Sequence, residues 1–253
     1  MATHKKKVES EFSALSPNYD RWYQTPLGRY IDETERSAIL EFLKPCEADR
    51  ILDVGTGTGI YIIEAVRSGA HVIGIDISVK MLNVLSKKIS NEKIYSHVDL
   101  IVADAENLPF RSNLFDKIIC NTVLEFLLNP VQALKEFNRV IFLDGKVVIG
   151  VLTSTSLWAF KRRINNLTVE DVWSKARFFS LKTLREMSKQ AGFLVEKTKW
   201  SVFAPPNCPT KLLPMYNWLD DKLNSLPIIK NMGAFLVVRL SKRLSKIQFS
   251  GNS

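Results

Sequence analysis

Short apolar runs alternate along most of this chain with segments whose apolar residues recur every three to four positions. The first pattern is typical of buried strands and the second of amphipathic helices. Strands and helices that alternate in this way indicate a parallel sheet with helices on both faces. The predicted strands are RILDV (50–54), HVIGID (71–76), VDLIVAD (98–104), FDKIICN (115–121), GKVVIGVL (145–152), FLVEKTKWSVF (193–203) and GAFLVVRL (233–240).

Helix boundaries are marked by residues that satisfy the free backbone groups at helix ends. Ser78 precedes one helical segment as a side-chain N-cap, and Asn129 precedes another, with Pro130 at the first helical position. We therefore expect an α/β domain with a seven-stranded, mostly parallel sheet. Helices are expected on both faces of the sheet. A cap is expected from the N-terminal segment and two inserts, at 152–180 and 204–232.

The first predicted strand runs into a glycine-rich stretch, LDVGTGTGI, with glycines at 55, 57 and 59. Glycine lets a ligand touch the main chain, and free amides at the start of the next helix favour a negative group. A nicotinamide dinucleotide site is the main rival, but its fingerprint is GxGxxG and its ligand carries a pyrophosphate. Here the spacing is GxGxG, and Asp53, two residues before the first glycine, suits a ligand with positive charge.

The motif LDVGTGTG is followed in order by VIGIDIS, VADAENLPF and CNTVLEFL. With these motifs the chain resembles the class I S-adenosylmethionine-dependent methyltransferases over about residues 17–245. It is most similar to the branch that includes the ubiquinone/menaquinone biosynthesis methyltransferases. The resemblance implies a Rossmann-like fold whose seven-stranded sheet is mostly parallel with an antiparallel last strand. It also implies S-adenosylmethionine as cofactor and S-adenosylhomocysteine as product. The expected cofactor-binding residues are Tyr19, Asp53, Gly55, Thr56, Gly57, Gly59, Asp76, Ile77, Met81, Asp104, Ala105 and Asn121.

Individual roles follow for some of these residues. Asp76 ends the second strand, where a carboxylate can accept hydrogen bonds from both ribose hydroxyls. In the family, the acid and the amide that correspond to Asp104 and Ala105 contact the adenine edge, and the region of Asn121 lies near the methionine part and the acceptor. Met81 is expected to pack on the adenosine.

Two long connections interrupt the alternation, at 152–180 and 204–232, and loops of that length in a compact domain are usually functional. We expect a single methyltransferase domain over 1–253. Its predicted parts are an N-terminal helical segment (17–45), a cofactor-binding half (46–151), the two cap inserts and a basic tail (241–253). Aromatic residues of these outer parts, Tyr23, Trp158 and Trp173, are expected to face the methyl acceptor.

The predicted reaction is methyl transfer to a small-molecule acceptor that is apolar or aromatic. A sulfonium methyl is already activated, so a base is needed only if the acceptor must lose a proton. Glu125 or Tyr216 could serve, and the sequence identifies no catalytic residue. A non-catalytic S-adenosylmethionine-binding protein and an RNA or protein methyltransferase remain alternatives. Nucleic-acid amino methyltransferases typically carry the motif Asn/Asp-Pro-Pro-aromatic after the fourth strand. This chain has NTVL there, at 121–124.

Charge and composition limit the kinds of partner that the chain is expected to bind. The net charge is +9, and seven of these charges come from Lys5, Lys6 and Lys7 and from Arg239, Lys242, Arg243 and Lys246. We expect both ends to be solvated tails with at most a weak attraction to anionic surfaces, and no specific nucleic acid. No metal is expected, because the three cysteines form no CxxC or Cys/His cluster. Without a membrane-length apolar run or an apolar signal-peptide core, a cytoplasmic protein is expected, and its oligomeric state is open.

Overall fold

The computed structural model describes residues 2–165, 175–227 and 229–243, and in them seven strands form one sheet. The strands are β1 Arg50–Val54, β2 His71–Asp76, β3 Val98–Val102, β4 Phe115–Asn121, β5 Ile141–Leu152, β6 Phe193–Ser201 and β7 Phe235–Lys242. The helices are α1 Ala2–Leu15, α2 Tyr19–Tyr23, α3 Pro26–Leu43, α4 Ile60–Arg67, α5 Val79–Glu92, α6 Pro130–Val140, α7 Leu157–Asn165, α8 Leu181–Gln190 and α9 Leu213–Ser225.

The strand order is β3-β2-β1-β4-β5-β7-β6. Strands β1 to β5 pair in parallel, and β7 lies antiparallel between β5 and β6. This arrangement confirms the Rossmann-like, mostly parallel sheet with an antiparallel last strand. The chain order reverses between β1 and β4, and open sheets of this kind bind ligands at the carboxyl ends of the strands beside that reversal.

The core lies on both faces of the sheet because successive residues of a strand point to opposite sides. Leu52 of β1 joins the apolar cluster that contains Phe115 and Phe137. Its neighbour Ile51 joins the cluster on the other face with Ile62 of α4. Central strands with both faces buried therefore read as continuous apolar runs in the sequence.

Side-chain caps fix where several helices begin. Ser78 Oγ accepts a hydrogen bond from Met81 N at 3.3 Å, and Asn129 Oδ1 accepts one from Gln132 N at 3.1 Å. Both predicted caps are confirmed. These caps start α5 and α6 in the connections that leave the carboxyl ends of β2 and β4, so the strand-to-helix turns converge at one edge of the sheet.

The prediction of solvated tails is wrong for Lys5 and Arg239, which pair with carboxylates. Lys6, Lys7 and Arg243 are exposed to solvent. Residues 2–15 form helix α1, in which Lys5 Nζ lies 2.5 Å from Asp104 Oδ2 and 2.7 Å from Glu106 Oε2. At the other end, Arg239 and Lys242 belong to β7, and Arg239 Nε donates to Glu196 Oε2 at 3.0 Å. Lysine and arginine side chains near carboxylates pair with them instead of remaining solvated. Lys246 lies outside the described residues.

The two inserts differ in where they pack. The first contains α7, and its residues 166–174, including Trp173, lie outside the described residues. The second contains α9, which packs against α3, where the Tyr30 hydroxyl donates a hydrogen bond to the Asp220 carboxylate. No helix in the described part of the chain is both long and apolar enough to cross a membrane.

Candidate active site

The glycine loop leaves β1 in a conformation that needs glycine. Gly55 has φ +65°, and a Cβ added there would lie 2.2 Å from Val123 Cγ2 in the turn after β4. The next glycine amide, Gly57 N, donates to Asp76 Oδ2 at 2.9 Å. The loop is thus held between the ends of β2 and β4.

Asp76, at the end of β2, organises the loop and the following helix. Its Oδ1 accepts from Ser78 N at 2.8 Å while its Oδ2 accepts from Gly57 N. Burial raises the pKa of this carboxyl, and the backbone hydrogen bonds from Ser78, Gly57 and Ile77 oppose that rise. Each carboxylate oxygen has a second lone pair, so Asp76 retains capacity to accept hydrogen bonds from a ligand.

Asp53 lies beneath the loop and is almost completely buried. Thr56 Oγ1 donates to Asp53 Oδ2 at 2.7 Å. Burial raises the pKa of Asp53 to about 7, with the Thr56 hydrogen bond opposing and the charge of Asp76 adding to the rise. A buried carboxyl with a raised pKa is stabilised in its ionised form by a nearby positive charge. The loop therefore favours a cationic ligand.

A first cavity of about 120 Å³ lies against the glycine loop and the ends of β1, β2 and β4. Nine of the predicted cofactor residues line it: Tyr19, Gly55, Gly57, Asp76, Ile77, Met81, Asp104, Ala105 and Asn121. Three do not line it. Asp53 and Thr56 bond to each other below the loop, and Gly59 caps α4 against Leu85. These three support the cavity from behind.

Helix α1 covers the first cavity, and this packing was not predicted from the sequence. Lys5, Val8 and Phe12 line it, and Ser13 Oγ lies 2.7 Å from Ser78 Oγ. Their spacing of three and four residues is the helical signal that could have revealed a buried face. With α1 in place, the cavity is smaller than the roughly 300–1,000 Å³ of most ligand pockets.

A second cavity of about 350 Å³ adjoins the first and shares Tyr19 and Thr122 with it. Two of the residues predicted to face the acceptor, Tyr23 and Trp158, line this cavity. Trp158 Nε1 donates to Ala204 O at 2.8 Å, which fixes the orientation of the indole. The other lining residues are Leu15, Asn18, Trp22, Ile31, Glu35, Leu152, Arg162, Phe178, Val202 and Ala234.

Helix α2, which carries the shared tyrosine, is tied to the glycine loop. Asp20 Oδ1 accepts from Thr58 Oγ1 at 2.7 Å, and Asp20 Oδ2 lies 2.6 Å from Lys88 Nζ. Gly28 of α3 lets the turn pack closely, because a Cβ there would lie 2.0 Å from the Trp22 carbonyl oxygen. Helix α2 thereby holds Tyr19 where the two cavities meet, and Trp22 and Tyr23 in the wall of the second cavity.

Glu35 is the acidic residue that lines the second cavity, and no motif in the sequence identified it. Burial raises its pKa to about 8, the charges of Asp32 and Glu125 add to the rise, and the Asn121 amide opposes it. The sequence candidates for a base lie elsewhere: Glu125 is buried and accepts from Leu152 N at 2.8 Å, and Tyr216 is partly buried against the apolar core. Neither lines the two cavities.

The first cavity can hold a molecule with a flat apolar part, hydroxyl donors and a positive charge. Met81 and Ile77 supply apolar contact, and the carboxylates of Asp76 and Asp104 accept hydrogen bonds. In the described part of the chain no group of His, Cys, Asp or Glu residues is arranged to hold a metal ion. The residues present therefore fit S-adenosylmethionine, with its adenosine and its sulfonium.

Comparisons with known proteins agree with this chemistry. A family model described as "Methyltransferase domain" matches residues 52–149. An uncharacterized protein of Methanocaldococcus jannaschii is 30% identical over 195 residues, which cover 76% of this chain and 85% of that protein. The ubiquinone/menaquinone biosynthesis C-methyltransferase UbiE of Geotalea daltonii is 31% identical over 159 residues, 62% of this chain and 67% of that protein.

Among solved structures, an S-adenosylmethionine-dependent methyltransferase from Thermotoga maritima, described as a possible histamine N-methyltransferase, has the same fold. The TM-score is 0.70 at 24% identity, covering 93% of this chain and 100% of that chain. Family model, relatives and fold together confirm the resemblance and the cofactor. The chain belongs to the class I S-adenosylmethionine-dependent methyltransferases and resembles the quinone-biosynthesis enzymes among them.

Proposed function

We propose that the acceptor is a small apolar or aromatic molecule held in the second cavity. The observation that carries this proposal is the shared wall: Tyr19 and Thr122 line both cavities. A molecule in the second cavity would therefore lie beside the cofactor, and the methyl group would not have to pass through solvent. The aromatic lining and the size of this cavity suit a small apolar ligand better than an RNA strand or a protein surface.

The cofactor roles are proposed from the side chains of the first cavity. Asp76 accepts hydrogen bonds from the ribose hydroxyls, and Asp104 with the Ala105 amide binds the adenine edge. Met81 packs on the adenosine. Asp53 supports the positively charged end through the glycine loop. The available acceptor atoms and the burial of these groups support this assignment.

The proposed catalysis depends on alignment and on exclusion of water. When bound, S-adenosylmethionine supplies a methyl group that is already activated by its sulfonium. Holding two reactants in line can supply about 7–11 kcal/mol of the barrier reduction. Trp158 and Tyr23 would hold the acceptor against the shared wall, and the apolar lining would keep water away.

A labelling experiment tests the acceptor class. The protein is incubated with methyl-labelled S-adenosylmethionine and separately with the small-molecule, RNA and protein fractions of a cell extract. Label should enter the small-molecule fraction. Label in RNA or protein, or in no fraction, would contradict the proposal, and the last result would favour a non-catalytic binding protein.

A pair of tryptophan variants tests the position of the acceptor. Trp158→Ala should lower methyl transfer more than S-adenosylhomocysteine affinity, because Trp158 lines only the second cavity. Trp218→Ala is the control, since Trp218 is 63% exposed on α9. Equal turnover in the two variants would remove Trp158 from the acceptor site.

A further inference from the structure

Glu35 is set among aromatic side chains in the second cavity. The rings of Tyr19, Tyr23, Trp22 and Trp158 line the same space. Glu35 comes from the middle of α3, so its backbone is fixed by a helix of 18 residues. An ionisable group placed in an apolar cavity costs free energy unless it meets a partner there.

The charged surroundings of Glu35 are mainly acidic. Asp32 of the same helix and Glu125 of the turn after β4 both raise the pKa of Glu35. Arg162 of α7 also lines the cavity, but it is not among the groups that shift this pKa. The space in front of Glu35 is therefore favourable for a proton or a cation.

The tyrosines near Glu35 do not serve as proton acceptors. Burial raises the pKa of Tyr19 to about 12 and the pKa of Tyr23 well above its usual value. Burial also raises the pKa of Tyr61 of α4, and the charge of Glu35 adds to that rise. All three keep their protons near neutral pH. Glu35 is then the group in the cavity wall that can take a proton from a bound molecule.

We propose that the acceptor carries a protonated amine, which Glu35 binds as counterion and deprotonates for methyl transfer. This inference rests on the proposed function of the second cavity. Aromatic faces attract ammonium groups through the charge distribution of their rings, and the carboxylate supplies the opposite charge. A neutral hydroxyl would supply no positive charge to an ionised Glu35.

The proton and electron balance of the step is simple. The ammonium gives one proton to a Glu35 carboxylate oxygen, which leaves a neutral amine and a neutral carboxylic acid. The amine lone pair then forms a bond to the methyl carbon, and the electron pair of the broken carbon–sulfur bond stays on sulfur. The products are a methylated ammonium, S-adenosylhomocysteine and, after Glu35 ionises again, one proton in solvent.

The test uses two probes with the same carbon skeleton, 3-phenylpropylamine and 3-phenyl-1-propanol. Their affinities are measured by calorimetry on protein saturated with S-adenosylhomocysteine, for the wild type, Glu35→Gln and Glu33→Gln. Glu33 is the matched control, because it is an exposed acid on the same helix. Saturation with S-adenosylhomocysteine also shows that each variant is folded and that the cofactor site is intact.

The wild type should bind the amine at least about tenfold more tightly than the alcohol at pH 8.5, the scale of one hydrogen-bonded charge. Glu35→Gln should abolish this preference and leave alcohol affinity unchanged, while Glu33→Gln changes neither. In the wild type, amine affinity should fall from pH 8.5 to pH 6, because Glu35 becomes protonated while the amine stays charged. This pH dependence would be absent from Glu35→Gln.

Three results would overturn the amine assignment: equal amine affinity in the wild type and Glu35→Gln, alcohol binding as tight as amine binding, or no amine binding. Alcohol binding without an amine preference would leave the acceptor cavity in place and remove only the amine. Failure of both probes with S-adenosylhomocysteine bound would refute the acceptor cavity itself. Failure to bind S-adenosylhomocysteine would instead refute the proposed cofactor site.

Discussion

Replacing Asp76 should weaken both the fold and cofactor binding. Its carboxylate accepts hydrogen bonds from Gly57 N and Ser78 N at 2.9 and 2.8 Å. Hydrogen bonds to a charged group contribute about 1.5–3 kcal/mol each. Burying the carboxylate offsets part of this gain, as the raised pKa indicates. Asp76→Ala should therefore lower the free energy of unfolding by about 2–4 kcal/mol.

The same substitution removes the proposed acceptor of the ribose hydroxyls. S-adenosylhomocysteine affinity should fall at least about tenfold, which corresponds to about 1.4 kcal/mol. Urea unfolding measures the first effect, and calorimetry at a temperature where the variant is folded measures the second. Asp99→Ala, an exposed acid on the neighbouring strand, is the control. A variant with wild-type stability and wild-type affinity would refute the role given to Asp76.

Three further substitutions test other parts of the account. The wild type should lose stability as the pH rises from about 5 to 8, because burial raises the folded-state pKa of Glu125 from 4.5 to about 8 and the unfolded chain ionises first. Glu125→Gln should remove this loss. Urea unfolding at both pH values should show the variant gaining about 3 kcal/mol on the wild type, at 1.36 kcal/mol per pKa unit, and parallel pH profiles would contradict this. Lys5→Met should raise S-adenosylhomocysteine affinity about two- to fivefold, because it frees Asp104 from a partly exposed ion pair. A lower affinity in calorimetry would show instead that Lys5 assists binding. Gly28→Ala should cost about 1–3 kcal/mol in urea unfolding, since its Cβ would overlap the Trp22 carbonyl, and an unchanged midpoint would mean that α2 moves freely.

The sheet could be predicted from sequence because its signals are local. Each strand is a short apolar run, and caps such as Ser78 and Asn129 are read from one or two residues. The glycine loop was recognisable because its spacing is compact and its chemistry specific. Cofactor residues that follow strand ends, such as Asp76 and Asp104, could be proposed for the same reason.

The second cavity could be predicted only in part: Tyr23 and Trp158 of its wall were named from sequence, but its acidic residue could not be, because the cavity is assembled from distant segments. Glu35 reaches the second cavity from α3, and its raised pKa depends on burial and on Glu125, 90 positions along the chain. Lys5 looked like part of a solvated tail because its partners, Asp104 and Glu106, lie about 100 residues away in sequence. The role of Asp76 in holding the glycine loop is equally tertiary, since Gly57 belongs to a different strand-to-helix turn.

A crystal structure with S-adenosylhomocysteine tests the central claim most directly. The account predicts the ribose at Asp76, the adenine at Asp104 with Lys5 moved away, and the sulfur at the wall formed by Tyr19 and Thr122, facing the second cavity. A ligand bound elsewhere, or one whose sulfur faces away from the second cavity, would contradict the proposed path of the methyl group.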